Sequence, residues 1–246
     1  MKIRNIFYAT IAVMTVFNSC SKVDNYDGPT ETISGIVKDK GTGKGLQTEV
    51  SGEAGNGTRI KMLEISWSDN PTPLYLASKM DGSYINTKMF MATYQMIPEG
   101  AFVPLKPNEI KTIEAKGGST VVDFEVEPFL RVDWEGTPVV NADGTVSVKV
   151  KVTRGTNQTE FHKNLMDITL FINNNPYVGN NNYDSRFSPR ISFTGQMGNA
   201  SIGEIIELKS ITPLPAKRDW YIRAGARVAH GLNIYNYSEP QTVTIP

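Results

Sequence analysis

Thr145-Val146-Ser147-Val148-Lys149-Val150-Lys151-Val152-Thr153 alternates valine with a polar or charged residue along its whole length. One face of an extended chain would carry Val146, Val148, Val150 and Val152. The other would carry Ser147, Lys149 and Lys151. That is a strand with one face in a core and the other in water. The turn formers Asn141-Ala142-Asp143-Gly144 precede it.

The same period of two recurs outward in both directions. Towards the C terminus, residues 165–172 and 190–193 alternate, and 202–208 is β-rich but less regular. In residues 220–228, Trp220, Ile222, Ala224 and Ala226 are expected to face in, and Tyr221, Arg223 and Arg227 out. A polar loop then leads to residues 241–245, closing a hairpin that resembles the end of an immunoglobulin- or fibronectin-type sandwich. Towards the N terminus, strands are expected at 32–38, 58–65, 74–79, 83–86, 93–97 and 121–126. The apolar phase slips at Met62-Leu63, which predicts a bulge or burial on two sides. Asp81-Gly82 is a hairpin signal. No stretch of about ten residues has helical periodicity. The fold class is therefore all-β. Glu127-Pro128 marks a boundary between two tandem β-sandwiches, residues 31–128 and 129–246.

The first sandwich carries Ser34-Gly35-Ile36-Val37-Lys38-Asp39, Thr42-Gly43-Lys44-Gly45-Leu46, Asp81-Gly82-Ser83-Tyr84, Ala92-Thr93-Tyr94 and Pro98-Glu99-Gly100 in that order. These pieces resemble the carboxypeptidase regulatory-like, or transthyretin-like, domain, with Gly45 where that family often has Pro. The resemblance implies a spacer or binding module without catalysis.

The chain begins with Lys2 and Arg4, continues with an apolar run over residues 6–17, and then reads Asn18-Ser19-Cys20. A basic start, a run of about a dozen apolar residues and a small residue before the cut mark a secretory signal. The run is short of the about 20 residues a spanning helix needs. Val16-Phe17-Asn18-Ser19-Cys20 resembles a bacterial lipoprotein box, so residues 1–19 are expected to be removed and Cys20 acylated. Residues 20–30 then form a lipidated tether. Asp24 and Asp27, just after the cysteine, resemble surface-export signals of Bacteroidetes lipoproteins and imply an outer-membrane protein facing the exterior.

Lys+Arg and Asp+Glu number 25 each, and loss of residues 1–19 removes two cations and leaves a net charge of −2. That balance gives no basis for nucleic-acid binding. With its only cysteine acylated, the chain has no disulfide, and hydrophobic cores must supply its stability. A hydrophobic fraction of 39% is enough for that.

No cofactor motif is present. His162 and His230 stand apart, and no H-x-x-x-H or C-x-x-C occurs, so no metal ligands are assigned. Calcium held by carbonyls and scattered carboxylates stays open. No G-x-S-x-G occurs. Asp69, Glu99, Asp133 and Glu135 are available as a carboxylate pair but sit in turn-rich sequence, so no catalytic residue is assigned and the chain is read as a non-enzyme. The more informative feature is aromatic residues among amides, since sugars stack on aromatic faces and hydrogen-bond around them. Residues 173–186 carry Tyr177, Tyr183 and Arg186, and residues 230–237 carry Tyr235 and Tyr237. With Trp67, between two serines, these are the candidate ligand-binding residues; Trp134 and Trp220 are assigned to the core. Sheet-edge packing of the tyrosines is the competing reading.

Taken whole, the chain resembles a two-domain Bacteroidetes lipoprotein family of unknown function. The resemblance is carried by Cys20, Asp24-Asn25-Tyr26-Asp27-Gly28-Pro29, Gly57-Thr58-Arg59-Ile60, Asn70-Pro71-Thr72-Pro73, Pro98-Glu99-Gly100-Ala101-Phe102 and Phe129-Leu130-Arg131-Val132. It implies an accessory of SusC- and SusD-like glycan-uptake systems, with a polysaccharide or oligosaccharide, or those outer-membrane proteins, as partner. The alternative is an adaptor subunit of an envelope complex that binds no glycan itself.

Overall fold

The computed structural model describes residues 27–50 and 56–246. Cys20 and the expected signal segment lie outside the described residues. Among the described residues no helix is long and apolar enough to cross a membrane.

The first sandwich comprises β1 (Glu31–Asp39), β2 (Arg59–Glu64), β3 (Leu74–Ala77), β4 (Ser83–Met89), β5 (Ala92–Glu99), β6 (Lys111–Ala115), β7 (Ser119–Val121) and β8 (Phe124–Val126). One sheet is centred on β1, with β4 antiparallel on one edge and β7 then β8 parallel on the other. The facing sheet has the order β3-β2-β5-β6. Ile33, Val37, Ile60, Met62, Met96 and Phe124 fill the space between them.

The expected strand over 121–126 is broken at Val122-Asp123. Val122 turns its side chain into the core and its carbonyl towards β1, where it accepts from the Tyr84 hydroxyl. A Cβ at position 35 would overlap that carbonyl, so the approach requires Gly35. The Asp123 carboxylate bridges the gap, accepting from the Ile36 amide at 3.1 Å and Lys38 Nζ at 2.8 Å. The bulge expected at Met62-Leu63 is absent, for β2 pairs with β5 in unbroken register and Leu63 is half-buried on the outer face. Gly82, at φ +82°, turns the chain as expected, but β3 and β4 on either side lie in opposite sheets.

The second sandwich comprises β9 (Leu130–Trp134), β10 (Val139–Val140), β11 (Val146–Arg154), β12 (Leu165–Asn173), β13 (Arg190–Ser192), β14 (Ile205–Lys209), β15 (Arg218–Val228), β16 (Tyr235–Tyr237) and β17 (Gln241–Ile245). In one sheet β11 lies between β14 and the successive pair β9 and β10. The other runs β13-β12-β15, with β16 and β17 in turn along the far edge of β15. The valines of β11 meet Leu165, Ile168, Leu170, Trp220, Ile222 and Ala224 in the core. The protein is thus all-β, a pair of sandwiches in tandem.

The two sandwiches touch along more than their connection. Ala101 and Val103, from the first half of the chain, belong to the second core. The Phe129 amide donates to the Ala101 carbonyl at 3.1 Å, and Asn236 reaches across to donate to that carbonyl at 2.9 Å while accepting from the Leu130 amide at 3.1 Å. Residues 174–183 fold back over the outer face of the β12–β15 sheet, and residues 184–189 then run along the edge of β12, with Phe187 in the second core. Phe171, Val178, Tyr235 and Tyr237 close into a small third core beneath residues 174–183.

Candidate functional site

Arg223 fixes how the two sandwiches meet. On β15 it points away from the core of its own sandwich, as strand alternation requires, yet its exposure is 0%. The guanidinium passes over the Tyr237 ring at 4.3 Å and enters the first sandwich. There it donates to the Thr48 carbonyl at 2.7 Å, to Gln47 Oε1 at 3.0 Å and to the Met80 carbonyl at 3.3 Å. A further bond, at 2.9 Å, holds it to the Ser238 carbonyl of its own domain. Burial brings its pKa down to about 10, against the pull of Tyr237 and Glu49, so it is cationic at neutral pH. Beside it the buried Glu49 carboxylate accepts from the Tyr237 hydroxyl and, at 3.0 Å, from the Asn180 amide. Burial and then the Glu49 charge push the Tyr237 phenol well above its usual value, which keeps it a donor. A Cβ at position 179 would strike Glu49, so Gly179 admits this contact.

A cleft of about 310 Å³ opens beside this junction, lined by both sandwiches. Trp134, at the end of β9, packs against the second core and presents the rest of its ring to the cleft. Its indole N–H donates to the Glu239 carbonyl at 2.8 Å, which fixes the ring plane. Arg131 holds Asp39 in the opposite wall through two bonds, at 2.6 and 2.7 Å. Burial acts to raise the Asp39 carboxyl, but the bonds from Arg131 and the Gly41 amide outweigh it and hold the group below its ordinary value. Lys44 and Glu239 pair across the mouth at 3.5 Å, both well exposed. Such a pair contributes at most about 1 kcal/mol and opens readily. Gln47, Asp133, Thr42 and Asn236 add to the polar lining. The cleft is thus concave and hydrogen-bonding, with two ion pairs, the further carboxylate of Asp133 and an aromatic ring on one side.

The structure does not bring the sequence-predicted binding residues together. Trp67 lies in the first sandwich and is 65% exposed. Tyr177 is exposed on the folded-back segment. Arg186 is also exposed, but its guanidinium is held by Asp184 at 2.6 Å. Tyr183 is half-buried, edge-on to Phe171 with ring centroids 5.4 Å apart. Tyr235 and Tyr237 are buried and form no exposed platform. They occupy alternate positions of β16, a strand where a loop was expected, and so share the face roofed by residues 174–183. Tyr235 donates to the buried Asp167 at 2.5 Å, and Arg227 holds the same carboxylate at 2.8 Å. Trp220 is in the core as expected, edge-on to Phe187 at 5.0 Å. Trp134 is only partly so, and a position at the end of a strand just past the domain boundary is the signal that could have marked it. Among the described residues no group of three or more His, Cys, Asp or Glu is placed to hold a metal ion.

Comparison with known proteins places this architecture. Residues 32–127 match the family model described as the N-terminal domain of a protein of unknown function, DUF3823. A DUF3823 family protein of Bacteroides uniformis superposes with a TM-score of 0.79 at 32% identity, over 89% of this chain and 100% of that one. A second Bacteroides uniformis structure, described as "a putative carbohydrate binding protein", superposes at 0.67 with 23% identity over the same shares. A DUF3823 family protein of Parabacteroides merdae gives 0.66 and 18%, again over 89% of this chain and 100% of that one. The last two likenesses concern the fold alone. No curated protein matches the chain. With about a third of its residues identical to the first relative over that relative's full length, the chain belongs to the DUF3823 family.

Proposed function

We propose that this protein is a non-catalytic lipoprotein of the outer membrane, facing the exterior, that binds a neutral oligosaccharide or polysaccharide segment in the interdomain cleft as an accessory of glycan uptake. The observation that carries the reading is the partly exposed face of Trp134 in a hydrogen-bonding cleft. Sugars offer C–H faces to such a ring and hydroxyls to groups such as Gln47, Asp133 and Lys44. An excess of carboxylate over cation, with Asp133 beside the two ion pairs, favours a neutral polyol over an anion. Asp39, the most buried acid of the cleft, is held ionised by Arg131 and is poorly suited to donate a proton to a leaving group. The description of one structural relative as "a putative carbohydrate binding protein" agrees with this reading. So do the resemblance to lipoproteins of SusC- and SusD-like systems and that of the first sandwich to non-catalytic regulatory-like domains.

Calorimetry against a panel of neutral polysaccharides tests it. Binding should fall at least about tenfold, or about 1.4 kcal/mol, in Trp134→Ala. Asp133→Ala, at an exposed position, should also weaken it without touching the core. Absence of binding to every member of the panel, with the fold intact, would sink the direct-glycan form. The adaptor reading draws on a different observation, the use of Arg223, Glu49 and Tyr237 to make one rigid body. It expects co-purification with a SusC/SusD-like complex that survives Trp134→Ala.

A further inference from the structure

A second hollow, of about 670 Å³, lies at the opposite end of the first sandwich and is lined by Asp27, Thr30, Glu64, Trp67, Phe90 and Met91. Strand β1 sets the geometry. It starts at Glu31 beside this pole, pairs there with Met89, and ends at Asp39, which is clamped to Arg131 of the second sandwich. The pole therefore faces away from the interdomain cleft. Its surface is apolar: Phe90 and Met91 form the β4–β5 turn at 48% and 62% exposure, and Ile65 stands beside Trp67. Four large apolar side chains grouped at one tip of a sandwich are unusual for a surface that meets only water.

The chain enters the sandwich at this same pole. Only six residues lie between Cys20 and Asp27, so the pole lies within about 25 Å of the cysteine even if the segment is fully extended. We propose that Trp67, Phe90 and Met91 form a foot that rests in the headgroup region of the bilayer carrying the lipid anchor. The foot holds the rigid pair of sandwiches upright with the cleft outward. The occupant is lipid because the tether delivers this pole, and no other, to the membrane. Trp and Phe beside polar groups suit the zone between headgroups and acyl chains. The charges lining the hollow are the carboxylates of Asp27 and Glu64, with no cation among them, so the apolar side chains drive the contact and anionic lipid adds no attraction.

The inference rests on the anchoring of Cys20 within the proposed function, and the experiment separates the two. Because Cys20 is the only cysteine, the chain from Cys20 onward can be coupled by its thiol to maleimide-bearing phosphatidylethanolamine in phosphatidylcholine vesicles, whatever its natural acylation. Mass spectrometry of the protein from its own cells reports that acylation independently. Expected is a loss of tryptophan emission with brominated phosphatidylcholine that disappears in Trp67→Phe, shrinks in Phe90→Ser/Met91→Ser and is not increased by phosphatidylglycerol. Emission indifferent to brominated lipid would overturn the proposal and leave a protein partner for the patch. So would a soluble chain that dimerises in sedimentation and is returned to monomer by Met91→Ser.

Discussion

Arg223 shows how a residue can be read correctly on its strand and wrongly in the molecule. Alternation along β15 puts it on the outer face, and it is there, but the outer face is a wall of the first sandwich. Nothing local distinguishes water from the carbonyls of Thr48 and Met80, which lie more than a hundred residues away in sequence. Arg223→Met keeps much of the volume but leaves those acceptors without a donor. It should cost about 3–5 kcal/mol in urea denaturation; a loss under about 1 kcal/mol would show the bonds to be dispensable. Asp39 gives a pH-dependent counterpart. Its folded-state pKa is depressed, so its contribution is present above the unfolded value of about 4 and is lost as pH falls through the lower folded value. Asp39→Asn should therefore be less stable by about 1.5–3 kcal/mol at pH 7, with the gap closing below pH 4. A gap unchanged at pH 3 would argue against the pairing with Arg131.

At the scale of elements, legibility followed burial on one face only. β11 announces itself because water and core alternate along it, whereas β12 is buried on both faces, against the second core on one and the small third core on the other. β6 was missed because its pattern over Lys111–Ala115 is mostly exposed, with only Ala115 buried. β16 was read as loop because Tyr235, Asn236 and Tyr237 are all buried, in different surroundings, which erases any period of two. The candidate site suffered most. A cleft between domains is a property of their relative placement, and the sequence signals for Lys44, Trp134 and Glu239 are unrelated to one another. The small core under residues 174–183 makes its own prediction. A Cβ at position 225 would lie 2.8 Å from the Phe171 ring and 3.0 Å from that of Tyr237, both buried. Gly225→Ala should lower the thermal midpoint through about 1–3 kcal/mol of overpacking. A neutral result would mean that the segment over these rings yields easily.

At the scale of the molecule, the question is whether two sandwiches behave as two domains or as one. Domains joined only by a linker unfold separately, and their interfaces tend to be modest and polar. Here the junction contains a fully buried guanidinium, a buried carboxylate, a side-chain amide bridging both halves and apolar residues of one half in the core of the other. Such groups are satisfied only when both partners are present. Separation would take the Thr48, Gln47 and Met80 acceptors from Arg223, leave it the Ser238 carbonyl, and open the Tyr237 side of the third core to water. The whole chain should therefore show a single calorimetric transition, with van't Hoff and calorimetric enthalpies in agreement. The isolated second sandwich, residues 129–246, should melt lower than the intact protein and bind a hydrophobic dye at its exposed face. Two resolved transitions, with the upper one unchanged in the isolated half, would show that the lock is ornamental and that the cleft's geometry is not fixed. A single transition would mean instead that any ligand held between the two sandwiches stabilises both, so that saturating glycan should raise one midpoint by an amount set by its concentration relative to Kd.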